Sequence, residues 1–202
     1  STSNVPGGDA AAPADMATLI RTGYIATCTN TEGMLFEDEN IQIAVKCEYH
    51  GPMGRLMVLY GNKNALPLTN FRVNFPTIPS IDSTATPVAN NISPRSQAQQ
   101  LISVECSGPY QDAPKMDVMF TTATGQVSLN LRLPIPMCKF NEAVPMAAEE
   151  FFSRWNMVKG PPLEYQGVFK ASRPIDMVYL EKSLAAMRLG PIKGVDPAPA
   201  NL

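Results

Sequence analysis

Few residues in this chain are of a type and spacing that could do chemistry. The single histidine, His50, ends an alternating run and precedes Gly51-Pro52. A hydrolytic triad needs a histidine base with a nucleophile and an orienting group, and His50 reads instead as an exposed hairpin residue. The four cysteines, Cys28, Cys47, Cys106 and Cys138, are widely spread and form no C-x-x-C. They read as free thiols of a reducing compartment, and with one histidine the ligand supply for zinc is poor. Carboxylates cluster at Glu37-Asp38-Glu39 and Glu149-Glu150, with no apolar or basic frame to drive their pKa values apart. There is no G-x-S-x-G, phosphate-binding loop or dinucleotide glycine pattern. The expectation is a protein that is not an enzyme, with no catalytic residue, no metal and no cofactor.

Binding is the chemistry that remains. Phe152 and Trp155 lie three apart in an Ala- and Glu-rich stretch, so on a helix they share a face. Such a pair serves either as core or as ligand surface. Phe151, one step round, could anchor the helix and leave Phe152 and Trp155 to a groove.

The elements that must carry these residues are mostly strands. Ile41 to His50 alternates cleanly: Ile41, Ile43, Val45, Cys47 and Tyr49 on one face, Gln42, Ala44, Lys46, Glu48 and His50 on the other. That is a half-buried strand. Gly51-Pro52-Met53-Gly54 reads as a turn with Pro second and Gly fourth, and the run Leu56 to Tyr60 is apolar on both faces. Tyr24–Thr29 and Met34–Glu37 read as short strands. Leu68–Phe75, Gln99–Cys106, Lys115–Thr121 and Val127–Leu133 alternate, and Pro76–Arg95 is a long excursion with room for one edge strand. Seven or eight short strands separated by turn signals predict an antiparallel β-sandwich. The only tryptophan lies outside this region, so the likeness to an immunoglobulin domain is one of architecture. Pro134 and Pro136 close the β region. Beyond it, Ala147–Met157 and Asp176–Met187 have helical patterns, Gly160-Pro161-Pro162 stops the first helix, and Arg188–Ile192 could begin a strand. The organisation expected is a flexible hinge or linker over 1–15, a sandwich over 16–140, and a second subdomain over 141–202.

The totals narrow the partners. With 16 basic against 18 acidic residues, there is no basic excess to hold nucleic acid or an anionic membrane surface. No apolar run approaches the roughly 20 residues of a membrane span.

Six motifs then occur in order: GMLFEDENIQIAVKCEY, GRLMVLYGNK, PRSQAQQLISVEC, LRLPIPMCKF, EEFFSRW and VDPAPANL. Together they resemble the C-terminal appendage, or ear, of alpha-adaptin, the large subunit of the plasma-membrane clathrin adaptor complex. The resemblance implies an Ig-like β-sandwich followed by an α+β platform. In the family further strands and a final helix follow the V-D-P-x-P-A-N segment, so the platform is expected to be incomplete in this chain. It also implies a non-enzymatic module that binds short linear motifs of disordered endocytic accessory proteins: W-x-x-F type on the side of the sandwich, D-P-F or D-P-W type on the platform. Other implied partners are the remaining subunits of the heterotetrameric adaptor complex and the clathrin coat, with no nucleic acid and only indirect membrane contact. The implied location is cytoplasmic, at plasma-membrane coated pits. Carried across, the family's side-site lysine falls on Lys46, its surface aromatic on Leu59, its glutamine on Gln97 and its loop asparagine at Thr31, next to one inserted residue. Leu59 is a departure, since it keeps an apolar floor and lacks a ring to stack against. The platform aromatics fall on Phe152 and Trp155. The alternative is a structural β-sandwich of another vesicle-coat subunit, without a working peptide site.

Overall fold

A computed structural model describes residues 15–164, 166–168, 170–172, 174–192 and 195. The hinge expected over 1–15 therefore lies outside the described residues except for Asp15. From Asp15 the chain enters helix α1 (Met16–Cys28), followed by β1 (Glu32–Glu37), β2 (Ile41–His50), β3 (Met53–Asn62), β4 (Thr69–Asn74), β5 (Ile81–Ala85), β6 (Gln97–Cys106), β7 (Lys115–Thr122) and β8 (Gly125–Arg132). A 3-10 turn (Met137–Phe140) leads to α2 (Ala148–Val158) and α3 (Met177–Ala186). The strands form a five-stranded sheet ordered β1-β2-β3-β6-β5 and a three-stranded sheet ordered β4-β7-β8, with every pair antiparallel.

Alternation in the sequence becomes inside and outside in the sandwich. Ile41, Ile43, Val45 and Cys47 of β2 are buried, as are Leu56, Val58 and Tyr60 of β3, Ile102 and Val104 of β6, and Met116, Val118 and Phe120 of β7. The aromatic centre crosses the two sheets. Tyr60 of β3 meets Phe71 of β4 edge-on at 5.0 Å, and Phe71 stacks with Phe120 of β7 at 6.1 Å. The Tyr60 hydroxyl donates to Gln100 Oε1 at 2.8 Å, so its polar end is satisfied inside the core.

Three expectations need correction. Tyr24–Thr29 is not a strand but the last turns of α1. Tyr24, Ile25 and Thr27 favour strands intrinsically. However, Leu19, Ile20, Gly23, Tyr24, Thr27 and Cys28 fall on one helical stripe that packs against β1, and packing overrides the weak intrinsic preference. The buried Thr27 hydroxyl donates back to the carbonyls of Gly23 and Tyr24, at 2.8 and 3.0 Å. Gly23 is required here, because a Cβ on it would lie 1.9 Å from the Leu35 carbonyl oxygen. Helix and strand backbones touch at that point, and α1 covers the exposed edge of β1.

The β2–β3 turn sits one residue earlier than expected. His50 pairs with Met53, leaving a two-residue loop of Gly51 and Pro52, with Gly51 at φ 51°. Pro52 cannot take the positive φ that a type I′ turn asks of its second residue, so Gly51 leads a II′-like turn. Last, Arg188–Ile192 forms no strand. Arg188 has φ 60° and closes α3: its N–H bonds Ala185 O, and the Leu189 N–H bonds Leu184 O, each at 2.9 Å. This is the double bond pattern that usually ends a helix with glycine.

Candidate functional site

The outer face of the five-stranded sheet is built from the residues that alternate outward, and the register sets them in rows. Gln42, Gly61 and Gln97 lie abreast across β2, β3 and β6. The next rows are Ala44, Leu59 and Gln99, then Lys46, Met57 and Leu101. On β1, Met34 stands beside Ala44 and Glu32 beside Lys46. Lys46, Leu59 and Gln97 are therefore consecutive points of one diagonal. Strands are about 4.8 Å apart and alternate residues about 6.8 Å apart, so each step is about 8 Å and the three span about 17 Å. At about 3.3 Å per residue that is the length of roughly five extended residues.

Thr31 precedes β1 and lies off the diagonal: it is exposed, but its carbonyl accepts the N–H of the inward-facing Cys47 at 2.7 Å, so it borders the Lys46 end rather than extending the outward row. Lys46 and Gln97 are exposed and Leu59 is half-buried. Among the described residues Lys46 has no ion-pair partner. Gly61 has a local use, since a Cβ there would press to 2.8 Å from Gln42 Cγ. The bare glycine lets the Gln42 stem lie along the floor. The face thus offers a cation at one end, an apolar middle of Met34, Ala44, Leu59 and Met57, and amide groups at the other.

The aromatics of α2 are presented differently from one another. Phe152 is 46% exposed and Trp155 41%. Phe151 is half-buried and lines a groove of about 340 Å³ with Val144, Met146, Leu184, Leu189 and Ile192. The ring that touches Trp155 is Phe151, at 5.8 Å, and Phe151 also meets Phe152 edge-on at 5.4 Å. Phe151 thus ties the helix to its surroundings and carries the two exposed rings. An exposed Arg154–Glu150 pair one turn apart, 2.6 Å, flanks them. Among the described residues no three His, Cys, Asp or Glu side chains are placed to hold a metal ion, and no helix is long and apolar enough to cross a membrane.

Residues 31–134 match the family model described as the adaptin C-terminal domain. The chain belongs to that family. Residues 139–202 match the model described as the C-terminal domain of alpha adaptin of AP2. The alpha-2 subunit of the AP-2 complex from Dictyostelium discoideum is 35% identical over 93% of this chain and 19% of its own length. The alpha-2 subunit from Arabidopsis thaliana is 34% identical over 89% and 18%. The chain thus spans about a fifth of the length of the curated relatives it matches. Among solved structures, the GAE domain of yeast GGA1 aligns with TM-score 0.43 and 20% identity over 50% of this chain and 97% of its own. The GAE domain of GGA2p from Saccharomyces cerevisiae aligns with TM-score 0.46 and 14% identity over 52% and 96%. Those likenesses are too slight to bear on function.

The chain is an alpha-adaptin appendage domain, a non-enzymatic adaptor module. Its junction between sandwich and helices holds residues that sequence reasoning passed over. Lys139 is 1% exposed, and desolvation pulls its ammonium below the ordinary lysine range. Burial also pushes the nearby Cys28 and Cys47 thiols up to about 11, which keeps them protonated and unreactive. Arg188 donates from Nε to Asn141 O at 2.7 Å and from Nη1 to Tyr49 O at 3.1 Å. The Glu142 carboxylate accepts the Gly51 N–H at 3.0 Å. The available signal for Lys139 was its position: one charge closing the otherwise apolar run Leu133–Phe140.

Proposed function

We propose that this appendage is a docking hub of clathrin-mediated endocytosis. It takes W-x-x-F type motifs across the Lys46–Leu59–Gln97 diagonal and D-P-F or D-P-W type motifs on Phe152 and Trp155. The observation that carries the reading is the diagonal itself: a cation, an apolar step and an amide, evenly spaced over the length of a short extended peptide. Lys46 would meet a carboxylate flanking the motif. Met57 and Leu59 would take the aromatic side chains, and Gln97 would bond the peptide backbone. Thr31 would border the cationic end.

The division into a hinge (1–15), a sandwich (16–140) and a platform part (141–202) belongs to the same proposal. So do the partners: accessory proteins carrying these motifs, the other adaptor subunits and clathrin, met in the cytoplasm at coated pits. Each motif binds weakly, because a disordered segment loses entropy on docking. Repeated motifs on many adaptors raise the effective concentration.

Labelled W-x-x-F and D-P-F peptides titrated onto the wild type, Lys46→Glu and Trp155→Ala test the reading. An exposed ion pair contributes about 0.2–1 kcal/mol. Reversing Lys46 removes one pair and adds a repulsion of similar size, about 0.4–2 kcal/mol together, or roughly twofold to thirtyfold in Kd. The loss should shrink in high salt and leave the D-P-F response intact. Trp155→Ala should abolish only the D-P-F response. No saturable binding by the wild type refutes the reading.

A further inference from the structure

Among the described residues, Lys139 is the one buried charged side chain, and no carboxylate pairs with it. Its Nζ donates to Asn30 O at 3.0 Å and to Ala186 O at 2.6 Å, and lies 5.9 Å from the centre of the Tyr49 ring. Asn30 lies two residues past α1, and Ala186 is the last residue of α3. Ala186 O is one of the last carbonyls of α3 and Asn30 O lies just past the end of α1; at such ends unpaired carbonyls and the helix dipole favour a cation. That is how an ammonium is held without a carboxylate. One amine joins segments 109 and 47 residues away from it in sequence and places them against β2.

The Asn30 end leads directly into the candidate site. Thr31 follows, its carbonyl bonded to the Cys47 N–H, and then Glu32, which stands opposite Lys46. The Ala186 end is continued by Arg188, which fastens the end of α3 to the Tyr49 carbonyl.

We propose that Lys139 is a positioning residue of the sandwich-face site. It holds the Asn30–Glu32 segment so that Glu32 stands beside Lys46 on the outer face and Thr31 borders that end, and it makes that placement depend on the docking of α3. This rests on the reading of the sandwich face as a peptide site. A methionine of similar length would fill the same space more cheaply than a desolvated ammonium, but it would leave both carbonyl oxygens without their shared donor.

The test combines amide hydrogen exchange with peptide titration on the intact chain. Lys139→Met is expected to speed exchange about tenfold both at residues 30–32 and at 185–189, with residues 56–60 and 100–104 unchanged. It should weaken the W-x-x-F peptide about tenfold. Lys139→Gln keeps two donors without the charge and should restore both readouts to within about threefold. Unchanged affinity in Lys139→Met with both segments loosened overturns the positioning role. Loosening at 30–32 alone overturns the dependence on α3. Should Lys139→Met fail to fold, Arg188→Ala, which frees the end of α3 and leaves Lys139 in place, must still raise exchange at 30–32; no rise overturns the dependence. A wild type that binds no W-x-x-F peptide removes the peptide-site reading and the positioning role with it. In that case exchange alone still shows whether Lys139 joins the two segments.

Discussion

Gly23→Ala opposes two effects whose sizes can be compared. Alanine favours a helix interior over glycine by about 1 kcal/mol, so on helix propensity alone the variant gains stability. The structure gives the opposite sign. The new Cβ would lie 1.9 Å from Leu35 O and 2.6 Å from the Leu35 carbonyl carbon. Both are backbone atoms of β1, so no rotamer change relieves the contact. α1 must withdraw by about 1 Å, and gaps of 0.5–1 Å forfeit a quarter to a half of a contact's attraction. Leu19, Ile20, Tyr24 and Cys28 share that interface. At about 1 kcal/mol each for partial burial, a quarter to a half lost is about 1–2 kcal/mol. Residual overpacking strain adds to it, within the range of about 1–3 kcal/mol found when methylenes are forced into packed cores. After the roughly 1 kcal/mol propensity gain is subtracted, the net expectation is a destabilisation of about 1–4 kcal/mol, larger for Gly23→Val. Gly33, on the facing strand, is the control. A Cβ there meets only Thr27 Cγ2 at 3.5 Å, so Gly33→Ala should be neutral or slightly stabilising. Urea unfolding at neutral pH measures all three variants. A higher midpoint for Gly23→Ala, or equal losses at Gly23 and Gly33, refutes the close contact between α1 and β1.

Two further outcomes follow from buried groups. Asn62 is 3% exposed; its Nδ2 bonds Leu66 O, Ile92 O and Ser93 O at 2.9–3.1 Å, and its Oδ1 accepts the Asn64 N–H. Asn62→Ala leaves these loop groups unpaired and should cost about 2–4 kcal/mol in urea unfolding; a loss under about 1 kcal/mol would mean that water replaces the amide freely. Stability should also fall in alkali. The Cys28 and Cys47 thiols, raised from 9.0 to about 11, contribute stability that is intact below pH 9 and lost as pH rises through about 11. Lys139, lowered from 10.5, works the other way, because the unfolded chain binds more protons in its window. Two thiols against one amine leave a net fall. Cys47→Ala should shallow the slope of stability against pH by up to about 1.4 kcal/mol per pH unit, and an unchanged slope would show that Cys47 titrates alike in both states.

The alternation of Ile41–His50 and of the later runs was enough to place β2, β4, β6, β7 and β8, because a period of two has one meaning wherever one face is buried. Strand β5 lies in the excursion over 76–95, where only room for an edge strand was legible. The helices at Ala148–Val158 and Met177–Ala186 were legible for a similar reason: aromatic and aliphatic residues recur at helical spacing, and Asp176 caps the second through the Tyr179 N–H. Helix α1 was not legible from propensity. Its Thr, Ile and Tyr residues favour strands, and only the stripe from Leu19 to Cys28, packed on β1, makes them helical.

By itself, then, the sequence determined the family, the sandwich and the residue types available for binding, all of which are carried by local pattern and motif order. Only the tertiary structure decided which of those residues meet. Lys46, Leu59 and Gln97 align because the β2–β3–β6 register puts them on one diagonal, and a register is a property of strand pairs rather than of either strand. Lys139 likewise acquires its partners from Asn30 and Ala186, far away in the chain. Its burial is sustained by two helix ends that no stretch of sequence contains together.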